Sequence, residues 1–93
     1  AYLFLLIECL AEAAVLAGLP AALAETLARA TVEGASELSR QSESPAKTLR
    51  ENVTSPGGTT EAALSVLMGG DGWQPLVTKA IAAATKRSKE LAG

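Results

Sequence analysis

The run Asn52-Val53-Thr54-Ser55-Pro56-Gly57-Gly58-Thr59-Thr60-Glu61 is the one stretch whose residue types suit ligand chemistry rather than helix building. It delivers a glycine pair straight into the start of a helical segment. Glycines let a ligand approach the backbone, free N–H groups of a first helical turn point outward, and the helix dipole favours negative charge there. Hydroxyls of Ser and Thr add donors, so the layout suits an anion, either a phosphate or a carboxylate. Two familiar phosphate sites are excluded. No lysine follows the glycines as a P-loop requires, and neither a GxGxxG run nor the strand that must precede it is present. Spacing alone also allows a plainer reading, in which SPGG makes a tight turn and Thr59 or Thr60 caps a helix.

Other chemistry has little to work with. The sequence has no His and one Cys, which removes a disulfide framework, the ordinary zinc sites and the commonest general base. No metal site is expected. With 8 Lys+Arg against 10 Asp+Glu, the net charge of -2 lacks the basic footprint that phosphate-backbone binding needs, so nucleic acid is not an expected partner. Tyr2 and Trp73 read as packing residues rather than base-stacking platforms. Cys9, among Ile7, Leu10 and Ala13, reads as a small buried hydrophobe.

The elements that must carry the loop are helices. Of 93 residues 48% are hydrophobic but only 3% aromatic, and Ala and Leu dominate, a composition of small helix formers with room for one domain. Apolar spacing predicts a helix over residues 1–17, with Glu8 and Glu12 as its only polar stripe and Gly18 as a left-handed C-terminal cap. A second helix runs from about 20 to about 42, with Pro20 in its first turn. Leu19, Leu23, Leu27, Ala30, Gly34 and Leu38 form its apolar line, opposite a solvated face of alternating charges. Ser44 and Pro45 are expected to cap and open a short helix over AKTLREN. A third main helix runs from Thr59 or Thr60 to Leu67 and closes at Gly69-Gly70. Asp71-Gly72 then turns into a last helix with Pro75 in its first turn. No strand pattern is present, and about three-quarters of the chain is expected to be helical.

Residues 1–19 are apolar enough to suggest a membrane span or a signal peptide. Glu8 and Glu12 interrupt the run and no basic region opens it, so the reading is a soluble, cytoplasmic protein. A first helix apolar almost all round needs cover on several sides, which a chain this small can hardly supply. An obligate homo-oligomer with interleaved helices is the expectation.

VTSPGGTT resembles the signature of the pyrroline-5-carboxylate reductases. AYLFLLIECLAEAAVLAGLP resembles that family's first helix after its nucleotide domain, RATVEGASELSRQSESPAKTLRENV its long helix and connector, and ATKRSKELAG its C-terminus, so the resemblance spans essentially all 93 residues. It implies an all-α, Ala/Leu-rich dimerisation domain of the 6-phosphogluconate dehydrogenase C-terminal-like kind over 1–93, with no sheet. The family's Rossmann domain, which binds NADPH or NADH, has no counterpart here, so the sequence reads as one part of a longer enzyme and as inactive alone. The resemblance further implies that 1-pyrroline-5-carboxylate, or proline, is held by its carboxylate at Ser55, Gly57, Gly58 and Thr59. Thr60 falls beside the ring nitrogen as the catalytic position, and Glu43 and the Val53 carbonyl lie near the same ring. A non-enzymatic helical oligomerisation module, with SPGGTT only a turn and cap, is the alternative.

Overall fold

Five helices account for roughly three-quarters of residues 1–93, all of which the computed structural model describes, against about a third in ordinary soluble proteins. No strand is present. The helices are α1 (Tyr2–Leu16), α2 (Ala21–Gln41), α3 (Ala46–Asn52), α4 (Thr59–Leu67) and α5 (Trp73–Ala92). They fall into two compact units, Ala1–Leu49 and Arg50–Gly93.

In the first unit the expected break after α1 is confirmed in detail. Gly18 adopts φ +111°, its N–H donates to the Val15 carbonyl at 3.0 Å, and the Leu19 N–H donates to the Ala14 carbonyl at 3.0 Å. That pair of bonds is a Schellman motif, which satisfies carbonyls a helix end leaves free. Pro20 is extended and precedes α2 rather than lying inside it, its carbonyl taking the Ala24 N–H at 2.9 Å. Pro45 does the same for α3, accepting from Leu49 at 3.1 Å, so the expected Ser44 cap lies one residue too early. A proline supplies a carbonyl and a preset φ without needing a partner for an N–H, which suits it to the position just before a helix.

Helix α1 packs on α2, and Ala24 and Ala28, one turn apart, are the only buried apolar side chains in the chain. At 100° per residue, Leu23, Leu27, Ala30, Gly34 and Leu38 form a second line about 100° around α2 from those alanines. Leu23, Leu27 and Leu38 are 44%, 45% and 47% exposed. Gly34 interrupts the middle of α2, where glycine costs about 1 kcal/mol relative to alanine. Its φ is not positive, and a Cβ added there would meet nothing within 4 Å. The charged face is solvated as expected: Arg29 pairs with Glu25 at 2.8 Å, and Arg40 and Gln41 both donate to Glu37. The Arg40 guanidinium, aided by Gln41, holds the Glu37 carboxyl below the ordinary carboxylate range.

In the second unit Gly69 to Gly72 form a turn closed by the Gly72 N–H on the Gly69 carbonyl at 3.0 Å, and Gly72 is the N-cap of α5. Pro75 then sits in the first turn of α5 without cost, because N–H groups there have no intrahelical acceptor. Cys9, expected as a small buried hydrophobe, is exposed in this chain. Tyr2 and Trp73, read as packing residues, are exposed as well, and α1 and α2 are the only helices packed extensively on one another. The chain exposes 7527 Å², against about 5,000 Å² for a compact folded chain of this mass. No helix is long and apolar enough to cross a membrane.

Candidate anion-binding loop

The segment after α3 is organised by its backbone. Val53 and Thr54 donate their N–H groups to Arg50 and Glu51 carbonyls at 3.3 and 3.2 Å, and the half-buried Thr54 hydroxyl donates to the Arg50 carbonyl at 2.6 Å. These bonds tie the stem of the loop to the end of α3. Ser55 to Gly58 then make a four-residue turn, closed by the Gly58 N–H on the Ser55 carbonyl at 3.1 Å, with Gly57 at φ +72°. Pro at the second position and a positive φ at the third define a type II turn, and the third position strongly favours glycine. The sequence order Ser-Pro-Gly-Gly is therefore the local cause of the bend.

Gly58 comes out of the turn extended, at φ −88° and ψ −177°, and is the N-cap of α4. Its carbonyl accepts the Ala62 N–H at 3.2 Å, and no side chain caps this end. The expected cap at Thr59 or Thr60 is thus corrected: both are already helical, and the closed turn sets the boundary one residue earlier. With the Gly58 N–H committed to Ser55, the N–H groups of Thr59, Thr60 and Glu61 are the donors without an acceptor inside the helix. The Glu61 N–H is not among the positions singled out in the sequence; with the cap at Gly58 rather than at a threonine, the free donors begin one residue earlier, at Thr59.

Ser55, Gly57, Thr59 and Thr60 are exposed and Gly58 is half-buried, so one turn gathers five of the seven candidate positions. Val53 lies two residues upstream and is exposed. Glu43 lies in the connector between α2 and α3, in the other compact unit. Residues 53–60 contain no Lys or Arg, so any recognition of negative charge by this loop rests on N–H groups, hydroxyls and the positive end of α4. A Cβ at Gly58 would come within 3.2 Å of the Ser55 carbonyl oxygen, whereas one at Gly57 would meet nothing within 4 Å. The more recessed surfaces lie elsewhere, one on the flank of α5 by Thr78, Ile81, Thr85 and Lys89 and one at the first turn of α1. Both are open helix flanks, and a backbone anion site needs outward N–H groups more than depth. No three His, Cys, Asp or Glu side chains come together as a metal site would require.

A family model described as pyrroline-5-carboxylate reductase dimerisation matches residues 1–91. The chain belongs to the pyrroline-5-carboxylate reductase dimerisation family. A pyrroline-5-carboxylate reductase of Synechocystis is 46% identical over 91 residues, covering 98% of this chain and 34% of that protein. The enzyme of the same name from Pisum sativum is also 46% identical, over 98% of this chain and 33% of its own length. Among solved structures, Plasmodium falciparum pyrroline carboxylate reductase with NADP bound superposes with a TM-score of 0.91 at 34% identity, covering 99% of this chain and 35% of that one. The chain therefore spans about a third of the length of the pyrroline-5-carboxylate reductases it matches. The all-α architecture is that of this dimerisation family, and the resemblance noted in the sequence is to the same family.

Proposed function

We propose that the chain is the dimer-forming and substrate-binding part of a pyrroline-5-carboxylate reductase, an enzyme that reduces 1-pyrroline-5-carboxylate to L-proline with NADPH or NADH. The observation that carries this reading is the first turn of α4, where a type II turn presents three free N–H groups at an uncapped helix end. A carboxylate bound there accepts charge-assisted hydrogen bonds from N–H groups already held in place, and the helix dipole adds to the attraction. Ser55, Gly57 and Thr59 line the carboxylate, and Gly58 keeps the approach to the backbone open. Thr60 takes the place beside the ring nitrogen, with the Val53 carbonyl bordering the ring.

The reaction adds a hydride to the imine carbon and a proton to the imine nitrogen. It needs orientation of the ring more than a strong side-chain acid, which suits a site without histidine. The chain has no strand and no glycine-rich strand-to-helix turn that could hold a dinucleotide, so the site for NADPH or NADH lies mostly outside it. Its own part is to fix the carboxylate and thereby aim the ring.

The oligomer in this proposal is a homodimer with interleaved helices, or a larger assembly of such dimers. The exposed area exceeds that of a compact chain by about 2,500 Å², of the size obligate interfaces cover. Leu3, Leu5, Leu16, Val66, Leu76 and Ile81 are among the exposed apolar side chains. Nucleic acid and membrane are not assigned as partners, and the cytoplasm is the proposed location, where a lone thiol stays reduced. The test is proline titration by calorimetry with the full-length reductase and its Gly58→Val variant. Loss of proline affinity in a variant that still dimerises supports the carboxylate site. Equal affinity favours the alternative, a helical oligomerisation module in which SPGGTT is only a turn and a cap.

A further inference from the structure

Gly34 is a glycine for which this chain alone offers no reason. It lies well inside α2, it has no positive φ, and a Cβ there would meet no atom within 4 Å. Helix propensity argues against it, because alanine would stabilise the same backbone. A glycine at such a position is explained when another backbone approaches within the space that a side chain would fill.

The surroundings say which surface is approached. Gly34 is in line with Leu23, Leu27, Ala30 and Leu38, at spacings of four, three, four and four residues, which is the stripe by which one helix packs along another. Helix α1 does not cover this stripe: it packs on α2, whose buried residues Ala24 and Ala28 lie around the helix from it. The three leucines are 44–47% exposed and the stripe carries no charge. Leucines on both sides of a single glycine make a ridge with a gap, and a helix crossing at the gap comes closer than it could over alanine or leucine. The occupant is a second copy of this chain. The dimerisation family match covers all of α2, and the area exposed beyond that of a compact chain is of the size an obligate dimer buries.

We propose that Gly34 is the close-approach point of the subunit interface, where a helix of a second copy crosses α2 between Leu27 and Leu38. The inference rests on the dimer reading above and adds the residue that sets how near the two copies come. Its sign is opposite to what one chain predicts. Within a single chain Gly34→Ala can only favour the helix; at a crossing it holds the partner away.

Sedimentation equilibrium under reducing conditions, run alongside far-UV circular dichroism, tests this on the chain and on Gly34→Ala, Gly34→Leu and the solvated-face control Glu25→Gln. Expected is a dimer dissociation constant raised about tenfold by Gly34→Ala and at least a hundredfold by Gly34→Leu, with helix content kept at concentrations where each variant is still dimeric and Glu25→Gln unchanged. Alanine is the stronger helix former, so weakening by Gly34→Ala cannot be put down to a poorer helix. A dimer unchanged or tightened by Gly34→Ala overturns the crossing at Gly34 while leaving the dimer itself standing. A wild-type chain that remains monomeric at every concentration overturns both.

Discussion

Replacing Gly57 separates the shape of the loop from the space around it. The residue sits at φ +72°, yet a Cβ there would touch nothing within 4 Å, so Gly57→Ala adds backbone strain and no clash. For an L-residue the left-handed region costs about 1–2 kcal/mol, which the folded turn must bear or relieve by opening. If the free N–H groups of Thr59, Thr60 and Glu61 hold a carboxylate only when the turn is closed, that cost passes into binding as about a 5- to 30-fold rise in KM for the imine acid. The assay is steady-state reduction by the full-length reductase, with KM and kcat resolved separately and proline affinity measured by calorimetry. Semisynthesis with D-alanine at position 57 supplies the decisive control, since a D-residue favours positive φ and carries the same methyl group. It should restore KM to within about twofold of glycine. If Gly57→Ala leaves KM unchanged, or D-alanine impairs it as much as L-alanine, the link from turn conformation to carboxylate binding is wrong.

At the neighbouring position the cause is reversed. Gly58→Val has an allowed φ but sets a side chain against the Ser55 carbonyl oxygen, 3.2 Å from a Cβ, and should weaken proline binding in calorimetry while the dimer persists in sedimentation. Thr60→Ala keeps the backbone N–H and loses the hydroxyl. It should lower kcat about 10²-fold with little change in KM, and Thr60→Ser should recover most of the rate, as read from pH-controlled kinetics. The Glu37–Arg40 pair is fully exposed, so Arg40→Ala should leave the thermal midpoint unchanged at neutral pH and physiological salt. Because the folded Glu37 carboxyl lies below its unfolded value of 4.5, the stabilisation from this pair is present above that pH. It is lost as pH falls through the folded value, and because the pair is exposed and worth little, Glu37→Gln should unfold in acid over the same pH range as the unaltered chain in circular dichroism.

Much of the architecture was legible because single residues punctuate it. Gly18-Leu19-Pro20 ends one helix and opens the next, Gly69 to Gly72 does the same between α4 and α5, and an apolar line runs along α2 from Leu23 to Leu38. The helix starts were less legible. Thr59, Thr60 and Ser44 are all good caps by type, but the closed Ser55–Gly58 turn and the Pro45 carbonyl set those boundaries instead. Capping preference is a property of one side chain, whereas the boundary is decided by a bond spanning four residues. The burial expected of Cys9 failed for a different reason. Apolar character says that a residue gains from cover, not whether its own chain supplies it. The gathering of Ser55, Gly57, Gly58, Thr59 and Thr60 follows from their adjacency in sequence. Glu43, ten residues before Val53 and in the other unit, is tied to that loop by family resemblance alone.

A chain whose buried apolar side chains are two alanines has little to set against the entropy of ordering five helices. On the proposed dimer, dilution then acts as a denaturant does. The melting temperature should rise with the logarithm of protein concentration, and refolding should show a phase whose rate scales with that concentration, because in that dimer the last stabilising step is an encounter between two molecules.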